Sequence, residues 1–233
     1  MPSSVLAELL AIVAPPACAA CRAPLTRVEL RLCSECTRAL PWMPVRACWR
    51  CGLPSHRSRC PASAAAFTRA WAPLAYDGVA RELVAALKFG AALPVATLMA
   101  AHMAANLPAD LRSGGAESQA ATALVPVPPQ SQRARRRGFD PAAVLAAALA
   151  PRLGMPESAC LRRRDRQGRQ VGATRAQRRR PGRLSIELRT APPARALLVD
   201  DVHTTGATLD ACARTLAAGG CREIVALTYA RTL

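Results

Sequence analysis

A chain of 233 residues has room for one sizeable core and a small appendage, at about 100 to 200 residues per domain. With 51% hydrophobic and 20% charged residues it is too apolar to stay unfolded, and no run of about 18 uncharged apolar residues offers a membrane-spanning helix. Thirty-two basic residues against 15 acidic ones leave a net charge of +17, which points to phosphates, nucleic acid or acidic lipid as partners.

At the start of the chain, Leu6, Leu9, Leu10 and Val13 fall at helical spacing and end at Pro15 and Pro16. Glu8 interrupts the apolar run and no basic leader precedes it, so a short amphipathic helix is expected rather than a signal peptide, in a cytoplasmic protein. Seven of the ten cysteines follow, between residues 18 and 60, in a stretch with little hydrophobic periodicity. Cys18/Cys21, Cys33/Cys36 and Cys48/Cys51 are three C-x-x-C pairs, each separated from the next by eleven residues. Two thiolates on one tight turn reach the same tetrahedral metal and a second pair closes the shell, so Cys18, Cys21, Cys33 and Cys36 form a complete zinc-ribbon set. Cys48, Cys51 and Cys60 open a second set. Ser63 stands where its fourth ligand is expected, so that site is either a Cys3His variant using His56 or degenerate. Disulfides are the weaker alternative in a reducing compartment. Trp42 and Trp49 are expected to cover the small metal-centred core, and the ribbon is expected to be architectural, stabilised by zinc in place of a core.

From Trp71 onward apolar runs alternate with helical patterns: ELVAALKF, LPVATLMAAHMAANL, ALVPVP, PAAVLAAALAPRLG, ARALLVDD, ATLDACARTLAAGG and REIVALTYA. Short buried strands alternating with helices predict an α/β domain with a mostly parallel sheet. The expected units are 1–66 and 67–233, with Cys160, Cys212 and Cys221 in the core of the second. Charge is concentrated between residues 133 and 189, where 16 basic residues meet 4 acidic ones. Within that stretch residues 162–183 are rich in arginine and poor in apolar residues, so a mobile loop or arm is expected.

The most informative segment is Leu197 to Thr208, LLVDDVHTTGAT. An apolar strand runs into Asp200 and Asp201, then a Thr/Gly turn, then a helix with Leu209, Ala213 and Leu216 on one face. Backbone amides at the helix start, threonine hydroxyls and a glycine make a cradle for a phosphate, and the two acids suit sugar hydroxyls or a bound Mg²⁺. Neither G-x-x-x-x-G-K-[ST] nor a post-strand G-x-G-x-x-G occurs, which excludes the common nucleotide loops. His203 inside the turn is expected to fill the loop, and His102 on an alanine-rich helix is expected to be inert.

This segment resembles the phosphoribosyl pyrophosphate (PRPP) motif of type I phosphoribosyltransferases. Essentially the whole chain resembles the competence protein F (ComF) family, which places a double zinc ribbon before such a domain. Beyond the cysteines and the turn, the resemblance rests on Ala75-Tyr76-Asp77-Gly78, Leu87-Lys88-Phe89-Gly90, Val125-Pro126-Val127-Pro128, Arg137-Gly138-Phe139-Asp140, and Gln170 with Arg175 and Arg178 to Arg180. Gly-Phe-Asp-Pro stands where the family has Gly-Phe-Asn-Gln, and Pro181 where it has Asn.

The resemblance implies a type I phosphoribosyltransferase-like fold in which Asp200 and Asp201 take the catalytic, ribose-binding place. Thr204, Thr205, Gly206, Ala207 and Thr208 would hold the 5′-phosphate, with Mg²⁺ bound alongside PRPP. Arg133, Arg136 and Arg137 would border the pyrophosphate, with Gln170 and Arg175 on a flexible catalytic loop. It also implies a part in natural transformation, with single-stranded DNA and recombination or uptake proteins as partners. Two functions follow as alternatives. One is a Mg²⁺-dependent phosphoribosyltransferase-like protein. The other is a non-catalytic DNA- or partner-binding module that uses the ribbon and central arginines on a vestigial PRPP fold.

Overall fold

The computed structural model describes residues 16–27, 29–89, 92–112, 122–130, 138–164 and 185–233. They form α1 (Ser34–Arg38), β1 (Arg69–Trp71), β2 (Leu74–Ala75), α2 (Gly78–Phe89), α3 (Ala92–Asn106), α4 (Ala109–Arg112) and β3 (Thr122–Pro126). After these come α5 (Pro141–Leu153), β4 (Leu161–Arg163), β5 (Ile186–Leu188), β6 (Arg195–His203), α6 (Ala207–Ala218) and β7 (Glu223–Arg231). The expected N-terminal helix lies outside the described residues, as do Arg133, Arg136, Arg137, Gln170 and Arg175.

The main sheet runs β1-β7-β6-β3, with β2 also on β7, and every pairing is parallel. Buried on both sides, β6 and β7 carry the nearly continuous apolar runs that a covered parallel sheet needs. Their side chains alternate between two cores. Leu197, Val199, Val225, Leu227 and Tyr229 pack with α2, α3 and α5, whereas Ala196, Leu198, Ile224 and Ala226 pack with α6. Helix α5 starts where the Asp140 carboxylate accepts the Ala142 N–H at 3.0 Å, with Pro141 in its first turn, and stops at left-handed Gly154, φ 65°.

The cysteine-rich segment wraps the sheet edge. Its first half, through Cys18, Leu25, Leu32, Cys36 and Leu40, joins the core under α2 and α3; its second half, through Cys51, Ala62 and Phe67, joins the core under α6. Backbone bonds seat it: the Ala75 N–H donates to Pro41, Met43 to Pro73, and Ala70 to Trp49. The ribbon therefore shares its core with the sheet.

The arginine-rich stretch expected to be a loop from residue 162 begins instead as a strand. Arg162 and Arg163 pair antiparallel with Glu187 and Ile186, and the Glu187 carboxylate takes Arg162 at 3.0 Å and Arg164 at 3.1 Å. A cross-strand acid that neutralises two arginines makes the pairing favourable where the charge run by itself argues against it. Cys160, Cys212 and Cys221 are buried, as expected. Among the described residues no helix is long and apolar enough to cross a membrane.

Candidate functional site

Two tetrads of metal-binding side chains are formed. The sulfurs of Cys18, Cys21, Cys33 and Cys36 lie within 4.8 Å of one another, and so do the ligand atoms of Cys48, Cys51, His56 and Cys60. Cys21 and Cys33 sulfurs are 3.7 Å apart and those of Cys48 and Cys60 4.0 Å. A tetrahedron with Zn–S bonds of about 2.3 Å has edges near 3.8 Å, whereas a disulfide needs about 2.05 Å, so the spacing fits zinc.

The surroundings split the thiols of each tetrad: burial pushes Cys36 well up and Cys51 up to about 11, while hydrogen bonds favour the thiolate at Cys18 and Cys48. Burial opposes charge on Cys18, but backbone N–H groups of Cys21, Cys33 and Ala20 outweigh it and bring the thiol down to about 6. At Cys48 burial is likewise outweighed, there by His56 and the Cys51 and Arg50 backbone, again to about 6. The alternative left open at the second site resolves in favour of His56. Its Nδ1 lies 2.8 Å from the Ser58 carbonyl, so an Nδ1–H donated there leaves Nε2 free for the metal, the usual orientation of a zinc histidine. Ser63 stays outside the tetrad, exposed, its N–H donated to the Cys60 carbonyl. Trp42 and Trp49 do not cover the metal sites: they are 45% and 63% exposed, because the sheet supplies the apolar cover that an isolated ribbon would need from them.

At the carboxyl end of β6, Asp200 and Asp201 precede the turn Thr204-Thr205-Gly206 and helix α6. Asp201 Oδ2 pairs with Lys88 Nζ at 2.7 Å, bringing in the last turn of α2. Asp200 Oδ1 accepts the Asp201 N–H at 2.8 Å, and burial, then the charge of Asp201, push its carboxyl well above the usual carboxylate range. Asp140 at the head of α5 is raised too, by burial and more weakly by Asp201.

The turn has the features of an anion cradle. Gly206 heads α6 in the left-handed conformation, φ 80°, without a side-chain cap. Among the described residues the acceptor offered to the first-turn amides is Thr205 Oγ1, 3.4 Å from the Ala207 N–H, too far for a strong bond. Thr204, Thr205 and Ala207 are exposed, with Gly206 and Thr208 half-buried. His203 lies beneath the turn and edge-on to Phe67; burial, then the Arg231 charge, push its imidazole down to about 4, so it sits there neutral. His102 is held by the Tyr229 hydroxyl at 3.0 Å, a packing role.

Arg231 joins the two parts. Its buried guanidinium donates to the Cys51 carbonyl at 3.1 Å, His203 at 2.8 Å and Thr232 at 2.9 Å, and also to Thr204. One side chain thus ties the second metal tetrad to the Thr204-Thr205-Gly206 turn. A cavity of about 200 Å³ between Pro61–Ala65 and Thr205–Ala207 lies over this junction. On its far side Asp210 accepts the Ala66 N–H at 2.7 Å and Arg214 donates to Ala64 at 2.9 Å. Lys88 and Asp140 belong to family-like segments but have no place in the expected site, and Arg231 belongs to neither. The chain's one lysine was the available signal for Lys88; no local pattern marks Arg231.

Residues 9–66 match the double zinc ribbon domain family. The chain is also 31% identical over 236 residues to the DNA utilization protein YhgH of Salmonella typhimurium, an alignment that covers 95% of this chain and all of the relative. The protein of the same description from Salmonella typhi matches at the same identity and coverage. With two zinc tetrads on an α/β domain and a likeness that runs the length of both chains, the chain belongs to the family of the DNA utilization protein YhgH.

Proposed function

We propose that the chain is a PRPP-binding phosphoribosyltransferase-like protein that acts in DNA utilization, the role its Salmonella relatives are named for, as the ComF resemblance implies. In this reading residues 1–66 form the ribbon unit and 67–233 the ligand-binding unit. The observation that carries it is the uncapped, glycine-led start of α6 directly behind paired carboxylates. The first-turn amides and the Thr204, Thr205 and Thr208 hydroxyls take the 5′-phosphate. Asp200 and Asp201 take the ribose hydroxyls, and Lys88 holds the second carboxylate in place. The donor set suits a ligand that is anionic at one end and hydroxylated at the other. Mg²⁺ bound with PRPP would neutralise part of the diphosphate charge and help pyrophosphate depart.

Calorimetric titration with Mg-PRPP tests the assignment. The wild-type chain should give saturable heat. Asp200→Ala with Asp201→Ala should abolish it while keeping two zinc ions per chain as the sign of an intact fold. No heat from the wild type, or equal heat from the double variant, overturns it.

A further inference from the structure

All three tryptophans of the chain, Trp42, Trp49 and Trp71, line one groove of about 410 Å³ where the ribbon meets the sheet edge. Trp49 is 63% exposed, Trp42 45%, and Val45 beside them is fully exposed. Tryptophan surfaces of this extent are uncommon on a protein that has nothing to place on them. The metal tetrads do not account for them, since Leu25, Leu32 and Leu40 on one side and Ala62 and Phe67 on the other belong to the cores the ribbon shares with the sheet.

The charge around the groove has one sign in sequence. From Cys36 to Tyr76 there is no acidic residue and there are six arginines. Arg69 lines the groove, its guanidinium fixed by Asp110 from α4, and exposed Arg46 lies between the lining residues Val45 and Ala47. Arg50 is spent inside the ribbon on the carbonyls of Ala65, Phe67 and Thr68. Of the arginines named at the groove, exposed Arg46 is left to meet a phosphate. Exposed indole faces beside such a cation are the combination that binds an unpaired strand: each base stacks, and the backbone passes the cation. An apolar peptide would use the rings but not the charge.

We infer that this groove is a docking site for single-stranded nucleic acid, with Trp49 and Trp42 as stacking platforms for unpaired bases. It is separate from the β6–α6 turn and makes no use of PRPP.

Because every tryptophan lines the groove, intrinsic tryptophan emission reports on this surface. Titration with an oligothymidylate of about 15 nucleotides should quench it, and the matching duplex should quench it far less. Trp49→Ala should weaken binding about 5- to 100-fold and Trp49→Phe should largely restore it. Both variants should keep two zinc ions per chain and the wild-type response to Mg-PRPP, which separates failure here from failure of the PRPP assignment. Arg46→Ala should lower the salt dependence of binding by about one phosphate contact. Emission unchanged on adding the strand, equal binding of duplex and single strand, or wild-type affinity in Trp49→Ala each overturns the inference. Quenching by a proline-rich peptide but not by the oligonucleotide overturns it in favour of a peptide groove.

Discussion

Gly206 meets two demands that no other residue satisfies together. Its backbone is left-handed, φ 80°, and a Cβ there would sit 2.8 Å from His203 Nε2. His203 cannot withdraw easily, since it is buried against Phe67 with the Arg231 network behind it. Gly206→Ala is therefore expected to cost about 1–3 kcal/mol of stability and to weaken Mg-PRPP binding more than about tenfold, seen by urea unfolding and calorimetry. Wild-type behaviour in both measurements removes the case for a tightly packed turn. At this scale Asp200, Asp201 and Gly206 are legible in sequence because their chemistry is contiguous. Lys88 and Asp140 are not, because they reach the acids from α2 and α5, distant in the chain and brought close by the fold.

The first ribbon half is built on two C-x-x-C turns and the second on one, and the spacing alone announces the seven cysteine ligands. What spacing leaves open is the fourth ligand of the second tetrad, since a histidine four residues before Cys60 competes with a serine three residues after it. The backbone path decides it: His56 is oriented by the Ser58 carbonyl, and Ser63 faces outward. His56→Ala should reduce zinc content from two ions per chain to one, read by elemental analysis, while Cys18→Ala should remove the other ion. Two ions retained in His56→Ala contradicts the Cys3His assignment. The β4–β5 pair shows the same limit on local reading. Arginines at 162 to 164 suggest a loop by composition, and a strand forms because Glu187 sits opposite them.

Over the whole molecule, the ribbon and the α/β domain are coupled through shared cores and through Arg231. Arg231→Gln leaves several buried carbonyls short of a charged donor, at a cost of roughly 2–4 kcal/mol. Zinc content should stay at two ions while Mg-PRPP binding weakens, because the guanidinium that fixes the His203 and Thr204 carbonyls is gone. Affinity equal to wild type would show that the turn holds its shape without the ribbon. Sequence by itself determined what depends on neighbours along the chain: alternating strands and helices, the first tetrad and the three cysteines of the second, the acidic strand end and its turn. The tertiary structure decided which way the ribbon faces, that its tryptophans stay outside, and that an arginine at the end of β7 supports a turn and a metal knuckle at once. Those outcomes depend on contacts between residues as far apart as Cys51 and Arg231, which no local period or motif encodes.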